Sequence, residues 1–259
     1  MRKAILAGSV SATLTLLVWS SNALAFPATD TELALVPGYC KDTQGFGYGD
    51  ATTNTSPKAG HWVSLMGKTF WHMHHYCRGL IKRNRAMKAG MPFSHRRDLI
   101  RSALGEYEYV LANNKDADFI LLPEIYTRVG EANVLIGDAS AAEQAFAKAR
   151  QLKPDYWPAY SHWAEYLIQK GKRAEAKQLV KSGLEQTPTA KVLIDQYRQL
   201  GGKPSEIVPI VKKPVNEEDA EETGSTVKPD DSTEKAAEKS RSTSPSKEPA
   251  TSEAQPAAK

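Results

Sequence analysis

The chain has 259 residues, and neither end has the composition of a packed domain. Setting aside residues 1–25 and 214–259 leaves 188 residues, which is enough for one hydrophobic core of ordinary size. With only 2 cysteines, a core held together mainly by disulfides is excluded. The formal net charge of +4 is small, but the charges are unevenly distributed along the chain.

Residues 1–25 have the layout of a secretory signal peptide. Arg2 and Lys3 precede an apolar run from Ala4 to Trp19, and small residues lead up to Ala25. The run is shorter than the roughly 20 residues of a membrane-spanning helix, which favours cleavage after Ala25 over an anchor. We therefore predict an exported, periplasmic protein that is not an integral membrane protein.

Export to an oxidising compartment favours a disulfide between the two cysteines, Cys40 and Cys77. Closing the loop between them would stabilise the fold by about 4 kcal/mol in the chain-entropy model. Two free thiols are the alternative that the sequence leaves open.

A self-similarity of 34 residues runs through the second half of the chain. Large and small residues recur at this spacing, as the pairs Tyr126 and Tyr160, Gly137 and Gly171, Ala142 and Ala176, and Pro154 and Pro188. With Gly130, Phe146 and Ala149, this pattern resembles the tetratricopeptide repeat (TPR), whose units are pairs of antiparallel helices. The resemblance implies two TPR units, at 123–154 and 157–188.

A solenoid of such units needs neighbours that cover its end faces. Helical periodicity predicts a continuous buried stripe from Trp62 to Lys88 and a helix that Ser94 caps, which together form a divergent helical pair at 61–122. A capping helix is predicted at 189–202 from Val192, Ile194, Tyr197 and Leu200. The fold class is thus all-α: a short α-solenoid with a signal peptide, an irregular leader at 26–60 and a disordered C-terminal tail at 203–259.

The tail is predicted to be disordered because, beyond Pro214, it has too few large apolar residues to form a core. From Pro214 onward it has no aromatic residue and 11 acidic against 6 basic residues. Its acidic start could contact the basic first helical pair, or the tail could be a plain spacer. The apolar stretch from Ile207 to Val211 could fold back or dock a partner.

Five of the six histidines lie within 35 residues, between His61 and His95. On a helix only His72 and His75, three residues apart, could share a metal ion, and a third ligand would have to come from elsewhere. Packing and surface roles are favoured over metal binding, and no cofactor is predicted. A metal-binding or hydrolytic protein using this cluster is the alternative function.

Ten Lys or Arg residues against one acid, Asp98, give the segment from Ala51 to Gly105 a charge of +9. An ideal helix would place part of this charge on one basic, aromatic face, formed by Trp71, His74, Arg78, Lys82 and Arg85. Such a face is either a solvated surface or a site for an anionic glycan or lipid headgroup. Nucleic acid is excluded as a partner by the export signal.

The TPR resemblance also implies a protein-binding groove, lined by the first helix of each pair. Its predicted residues are Glu124, Thr127, Arg128, Glu131, Ser161, His162, Glu165 and Gln169. The two glutamates Glu131 and Glu165 would suit a basic or polar segment of another protein or peptide. No nucleophile elbow, phosphate-binding loop or paired-thiol motif occurs, so we predict a binding protein rather than an enzyme: an adaptor that serves a cell-envelope complex.

Overall fold

A computed structural model describes residues 27–47 and 53–210. Within these ranges the chain is helical and contains no β-strand, which confirms the all-α fold class. The predicted signal peptide and the residues from 211 onward lie outside the described ranges, and so does the suggested contact of the acidic tail. The α-helices are α1 (Asp30–Ala34), α2 (Ala59–Met66), α3 (Met73–Ala86), α4 (Phe93–Asn113), α5 (Leu122–Ile136), α6 (Ala139–Leu152), α7 (Trp157–Gln169), α8 (Arg173–Gln186) and α9 (Lys191–Gln199).

Consecutive helices pack in pairs that stack into a solenoid. The pairs are α3 with α4, α5 with α6, and α7 with α8, and α9 packs on α8. Neighbouring pairs meet through α4 on α5 and α6 on α7. The first helices also touch one another, α5 on α7 and α7 on α9. We call the surface formed by α3, α5, α7 and α9 the first-helix face.

The residues that recur every 34 positions lie where the helix pairs require small or flexible residues. Gly137 and Gly171 have φ angles of +91° and +76° in the turns inside each pair, a conformation that favours glycine. Ala142 and Ala176 are fully buried. Gly130 faces the ring of Phe146 so closely that a methyl group would not fit. The glycine and alanine recurrences therefore have a backbone or packing reason.

The periodicity predicts a single helix from Trp62 to Lys88, but the structure divides this segment into two helices. A 3-10 turn, Gly67–His72, separates α2 from α3, and Gly67 enters it with φ of +63° and ψ of −165°. The apolar stripe is nevertheless buried up to Leu80, because the bend keeps these side chains on the core side. The buried members are Met66, Phe70, Met73, Cys77 and Leu80.

Helix α4 is the longest described helix and begins at Phe93, directly after Pro92. The prediction that Ser94 caps it is wrong, because Ser94 lies inside the first turn and no side chain caps the helix. Ala103, Tyr107 and Val110 are fully buried, as the helical spacing had predicted. No helix in the described ranges combines the length and apolarity needed to cross a bilayer.

The leader, which we expected to be irregular, is anchored to the first helical pair. It contains α1, which has a capping box formed by Thr29 and Glu32, and a 3-10 turn, Gly38–Asp42. The predicted disulfide is confirmed: Cys40 and Cys77 are bonded, their Cα atoms are 5.7 Å apart, and both residues are fully buried. The leader thereby covers one end of the solenoid, as the end face of a stacked array requires.

At the other end, α9 covers α7 and α8. Its buried apolar residues are Leu193 and Tyr197, whereas Val192, predicted as a core residue, is 41% exposed. Residues 203–210, which we expected to belong to the disordered tail, fold back onto α8, because the Ile210 N–H donates to the Glu185 carbonyl at 2.8 Å. Val208 is 79% exposed.

Candidate functional site

A network of polar contacts crosses the first-helix face from α3 to α9. The Tyr76 hydroxyl of α3 donates to Glu124 of α5 at 2.5 Å. Further along the same two helices, Arg83 lies 3.5 Å from Glu131. Because these contacts join successive first helices, they fix the spacing of the side chains that line the face.

Glu131 is the centre of this network and is only 8% exposed. Its carboxylate lies 2.9 Å from Arg128, 3.5 Å from Arg83 and 3.3 Å from Nε2 of His162. Burial alone would lower the pKa of Arg128, but the charge of Glu131, the nearby Tyr76 and the hydrogen bonds to both together raise that pKa. The negative charge of Glu131 is therefore balanced by basic side chains of the protein, and little of it is left for a ligand.

The first pocket of the face lies between α3, α5 and α7 and has a volume of about 230 Å³. Arg83, Glu131 and His162 belong to its polar part. Its apolar part includes exposed side chains, since Met87 is 43% and Leu135 44% exposed. The remaining lining residues are Val134, Phe146, Glu165, Tyr166 and Gln169.

A second pocket of about 480 Å³ adjoins the first between α7 and α9. The two pockets share Glu165 and Gln169, which form a ridge between them. The Gln196 amide donates to Glu165 at 3.3 Å and holds the ridge from the α9 side. The second pocket is also lined by Ile168, Val192, Asp195 and Gln199.

The eight residues predicted for the groove do not all reach its surface. Thr127 and Ser161 are buried, at 2% and 1% exposure, and the Thr127 hydroxyl donates back to the Pro123 carbonyl at 2.8 Å. Both residues lie on first helices, as predicted, but their positions on the helical turn direct their side chains into the interface between helices. Three of the eight predicted residues, His162, Glu165 and Gln169, lie on α7 and line the pockets.

Glu124 and Arg128 lie 3.7 Å apart in the α3–α5 part of the network and do not line either pocket. The prediction of a groove with two free glutamates needs correction, because Glu131 is buried among basic side chains and only Glu165 keeps a half-exposed side chain. The apolar residues of the two pockets were missed. Their signal in the sequence is weak: apolar residues on the first helices outside the core positions, namely Met87, Val134, Leu135, Tyr166, Ile168 and Val192.

The five residues predicted as a basic, aromatic face do not form one exposed surface. Trp71 is 42% exposed, but His74 is 5% exposed. The Nδ1–H of His74 donates to the Trp71 carbonyl at 3.0 Å, and its Nε2 accepts from the Gln44 amide at 3.1 Å. Burial lowers the pKa of His74 to about 4, so its ring is neutral at pH 7.

The cations of this face are held by acids on neighbouring segments. Lys82 donates to Glu106 of α4, and Arg85 makes two hydrogen bonds to Glu32 of the leader, at 2.7 and 2.8 Å. Arg78 is half-buried on the same helix. Because α3 lies against both α4 and the leader, an ideal helical wheel overstates how much of it faces solvent.

The histidines of α3 make separate contacts rather than converging. His75 bonds to Glu106 through Nδ1 and stacks on Tyr109 at a ring distance of 3.7 Å. Burial, together with electrostatic interactions with His75 and Lys115, lowers the pKa of His72. Within the described ranges no three His, Cys, Asp or Glu side chains are arranged to hold a metal. The alternative of a metal-binding or hydrolytic protein therefore has no ligand set there.

Comparison with known proteins agrees with the helix pairing. The tetratricopeptide repeat family model matches residues 137–193, which contain α6, α7, α8 and the start of α9. No curated protein and no solved structure matches the chain. Repeats of this family typically serve as scaffolds that bind other proteins rather than as enzymes. The match and the stacked helix pairs show a tetratricopeptide repeat region at residues 137–193.

Proposed function

We propose that the protein is an adaptor that binds a segment of another protein on its first-helix face and carries out no reaction itself. One observation carries the proposal: two adjoining pockets lie on that face and share the ridge of Glu165 and Gln169. Met87, Leu135 and Val192, each more than 40% exposed, line these pockets. Exposed apolar side chains in recesses mark binding surfaces more often than scattered ones do.

The chemistry of the two pockets defines the partner segment. An apolar side chain in each pocket would contribute about 1.5–3 kcal/mol when fully buried. Between them, a Lys or Arg of the partner would meet Glu165, whose side chain is 52% exposed. Since Glu131 is already paired with basic side chains, and Asp195 of the second pocket is paired with Arg198 at 3.2 Å, the preference for a basic residue depends mainly on Glu165.

The cellular setting is part of the proposal. The signal-peptide pattern of residues 1–25 supports export, and the buried disulfide between Cys40 and Cys77 suits an oxidising compartment. We place the adaptor in the periplasm, where it assists the assembly or maintenance of a cell-envelope complex.

Site-specific photo-crosslinking in intact cells tests the binding face. A photoreactive residue at Leu135 or Val192 should give an adduct with the same partner, and Glu165→Arg should abolish both adducts. Matched control positions are Lys148 on α6 and Gln178 on α8, which are exposed on the second helices of the two repeats. Equal adduct yields from the control positions, or yields unaffected by Glu165→Arg, would contradict the proposal.

A further inference from the structure

The turn between α3 and α4 carries a second exposed surface, which overlaps the proposed groove only at Met87. Phe93, the first residue of α4, is 76% exposed, and Met87, at the end of α3, is 43% exposed. Around them lie Lys88, Arg97 and Arg101, all exposed. We call these five residues the basic tip.

The geometry of α4 places the apolar and basic residues together. Phe93, Arg97 and Arg101 follow one another at intervals of four residues, so they lie along one face of the helix. Within the described ranges, no acidic side chain forms an ion pair with Arg97 or Arg101 inside 4.0 Å. Asp98 is the one acidic residue between Lys88 and Gly105.

Lys88 is also largely accessible to a ligand. Its side chain is 65% exposed and lies 4.0 Å from Glu32. That carboxylate is already bound by Arg85 at 2.7 Å. Further back along α3, Arg83 and Lys82 are paired with Glu131 and Glu106. The exposed side chains of Lys88, Arg97 and Arg101 therefore bring positive charge together at the basic tip.

We propose that the basic tip binds the anionic headgroups of a lipid bilayer, with Phe93 entering the boundary between headgroups and acyl chains. Aromatic and other apolar side chains flanked by Lys and Arg are typical of proteins that lie on membrane surfaces. An acidic protein would use the same charges, but it would not need a phenylalanine projecting from a helix turn. The inference thus adds a membrane-surface contact to the adaptor proposal and does not rest on it.

Vesicle co-sedimentation with the full chain tests this inference. The protein should bind vesicles of phosphatidylcholine mixed with phosphatidylglycerol, and the binding should weaken at high salt. Vesicles of phosphatidylcholine alone measure any binding that needs no negative charge. Because each basic residue near an anionic surface contributes about a factor of 5, the double variant Arg97→Gln/Arg101→Gln should bind about 30-fold more weakly. The same double loss of charge at Lys148 and Lys191, exposed residues on α6 and α9, is the matched control and should have a much smaller effect.

A second variant separates a bilayer from an acidic protein as the partner. Phe93→Ser keeps all charges and should still lower vesicle binding about tenfold or more, because a buried Phe side chain contributes about 1.5–3 kcal/mol. Soluble polyglutamate should compete only weakly. Vesicle binding by Arg97→Gln/Arg101→Gln equal to that of the wild type would overturn the proposal. So would strong competition by polyglutamate together with no effect of Phe93→Ser.

Discussion

Replacing Gly130 by alanine tests whether close packing between the helices of a repeat explains the small residue there. An ideal Cβ at this position would lie 2.8 Å from Cε2 and Cζ of the Phe146 ring and 2.9 Å from its Cδ2. Phe146 is fully buried, so its ring has little room to retreat. Gly105, inside α4, is the matched control, because its Cβ would meet nothing within 4 Å.

The two substitutions should have opposite signs. Alanine in a helix interior is favoured over glycine by about 1 kcal/mol, so Gly105→Ala should raise the free energy of unfolding by about that amount. At Gly130 the same gain is opposed by overpacking, which costs about 1–3 kcal/mol. Gly130→Ala should therefore be less stable than Gly105→Ala by about 2 kcal/mol, and a change of 1 kcal/mol shifts Tm by about 2–4 °C in a domain of this size.

Urea and thermal unfolding, followed by far-ultraviolet circular dichroism, would measure both variants. Combining Gly130→Ala with Phe146→Leu should recover part of the loss, which a double-mutant cycle reports as a coupling of at least about 0.5 kcal/mol. Gly130→Ala that stabilises the protein as much as Gly105→Ala would refute the packing explanation.

The N-terminus of the second helix differs between the repeats: the Asp138 carboxylate accepts the Ala141 N–H at 2.9 Å, whereas no side chain caps α8 at Lys172, 34 residues later. Asp138→Ala should lower the free energy of unfolding by about 1 kcal/mol, and Lys172→Asp should raise it by a similar amount. A Lys172→Asp variant without any gain in Tm would contradict the capping explanation. The hydrogen bonds from Arg85 lower the pKa of Glu32 from 4.5 to about 2. Because the pKa of Glu32 is lower in the folded state than in the unfolded state, this stabilisation is complete above about pH 5 and is lost as the pH falls towards 2. Arg85→Gln should reduce the loss of unfolding free energy over this pH range. An equal dependence of the unfolding free energy on pH in both proteins would count against the assignment.

The repeats could be predicted because their determinants are close in the sequence. Gly137 and Gly171 mark turns between adjacent helices, and Ala142 and Ala176 are fully buried near the start of the helix that follows each turn. The break before α3 could not be predicted in the same way. The apolar spacing there continues through the 3-10 turn, so a kinked segment and a straight helix leave nearly the same pattern.

The candidate site was predicted in part: the first helices were correctly chosen, but the side chains that line the pockets were not. Thr127 and Ser161 lie at the matching places of the family pattern yet point into the helix interface. Leu135 and Val192 face the pockets because of how α5, α7 and α9 are rotated against one another. That rotation depends on contacts across the whole stack, which no single helical period encodes.

The sequence by itself determined the helical class and the two repeats, because periodicity and turn residues are local signals. It also limited any disulfide to Cys40 and Cys77, since these are its two cysteines, but the structure decided that they are bonded. Only the tertiary structure decided which basic side chains form ion pairs with acidic ones. Lys82 and Arg85 find their acids 24 and 53 residues away in the chain, whereas among the described residues no acid forms an ion pair with Arg97 or Arg101. The physical reason is that a charge is neutralised by its neighbours in space, and these neighbours are set by the packing of the helices.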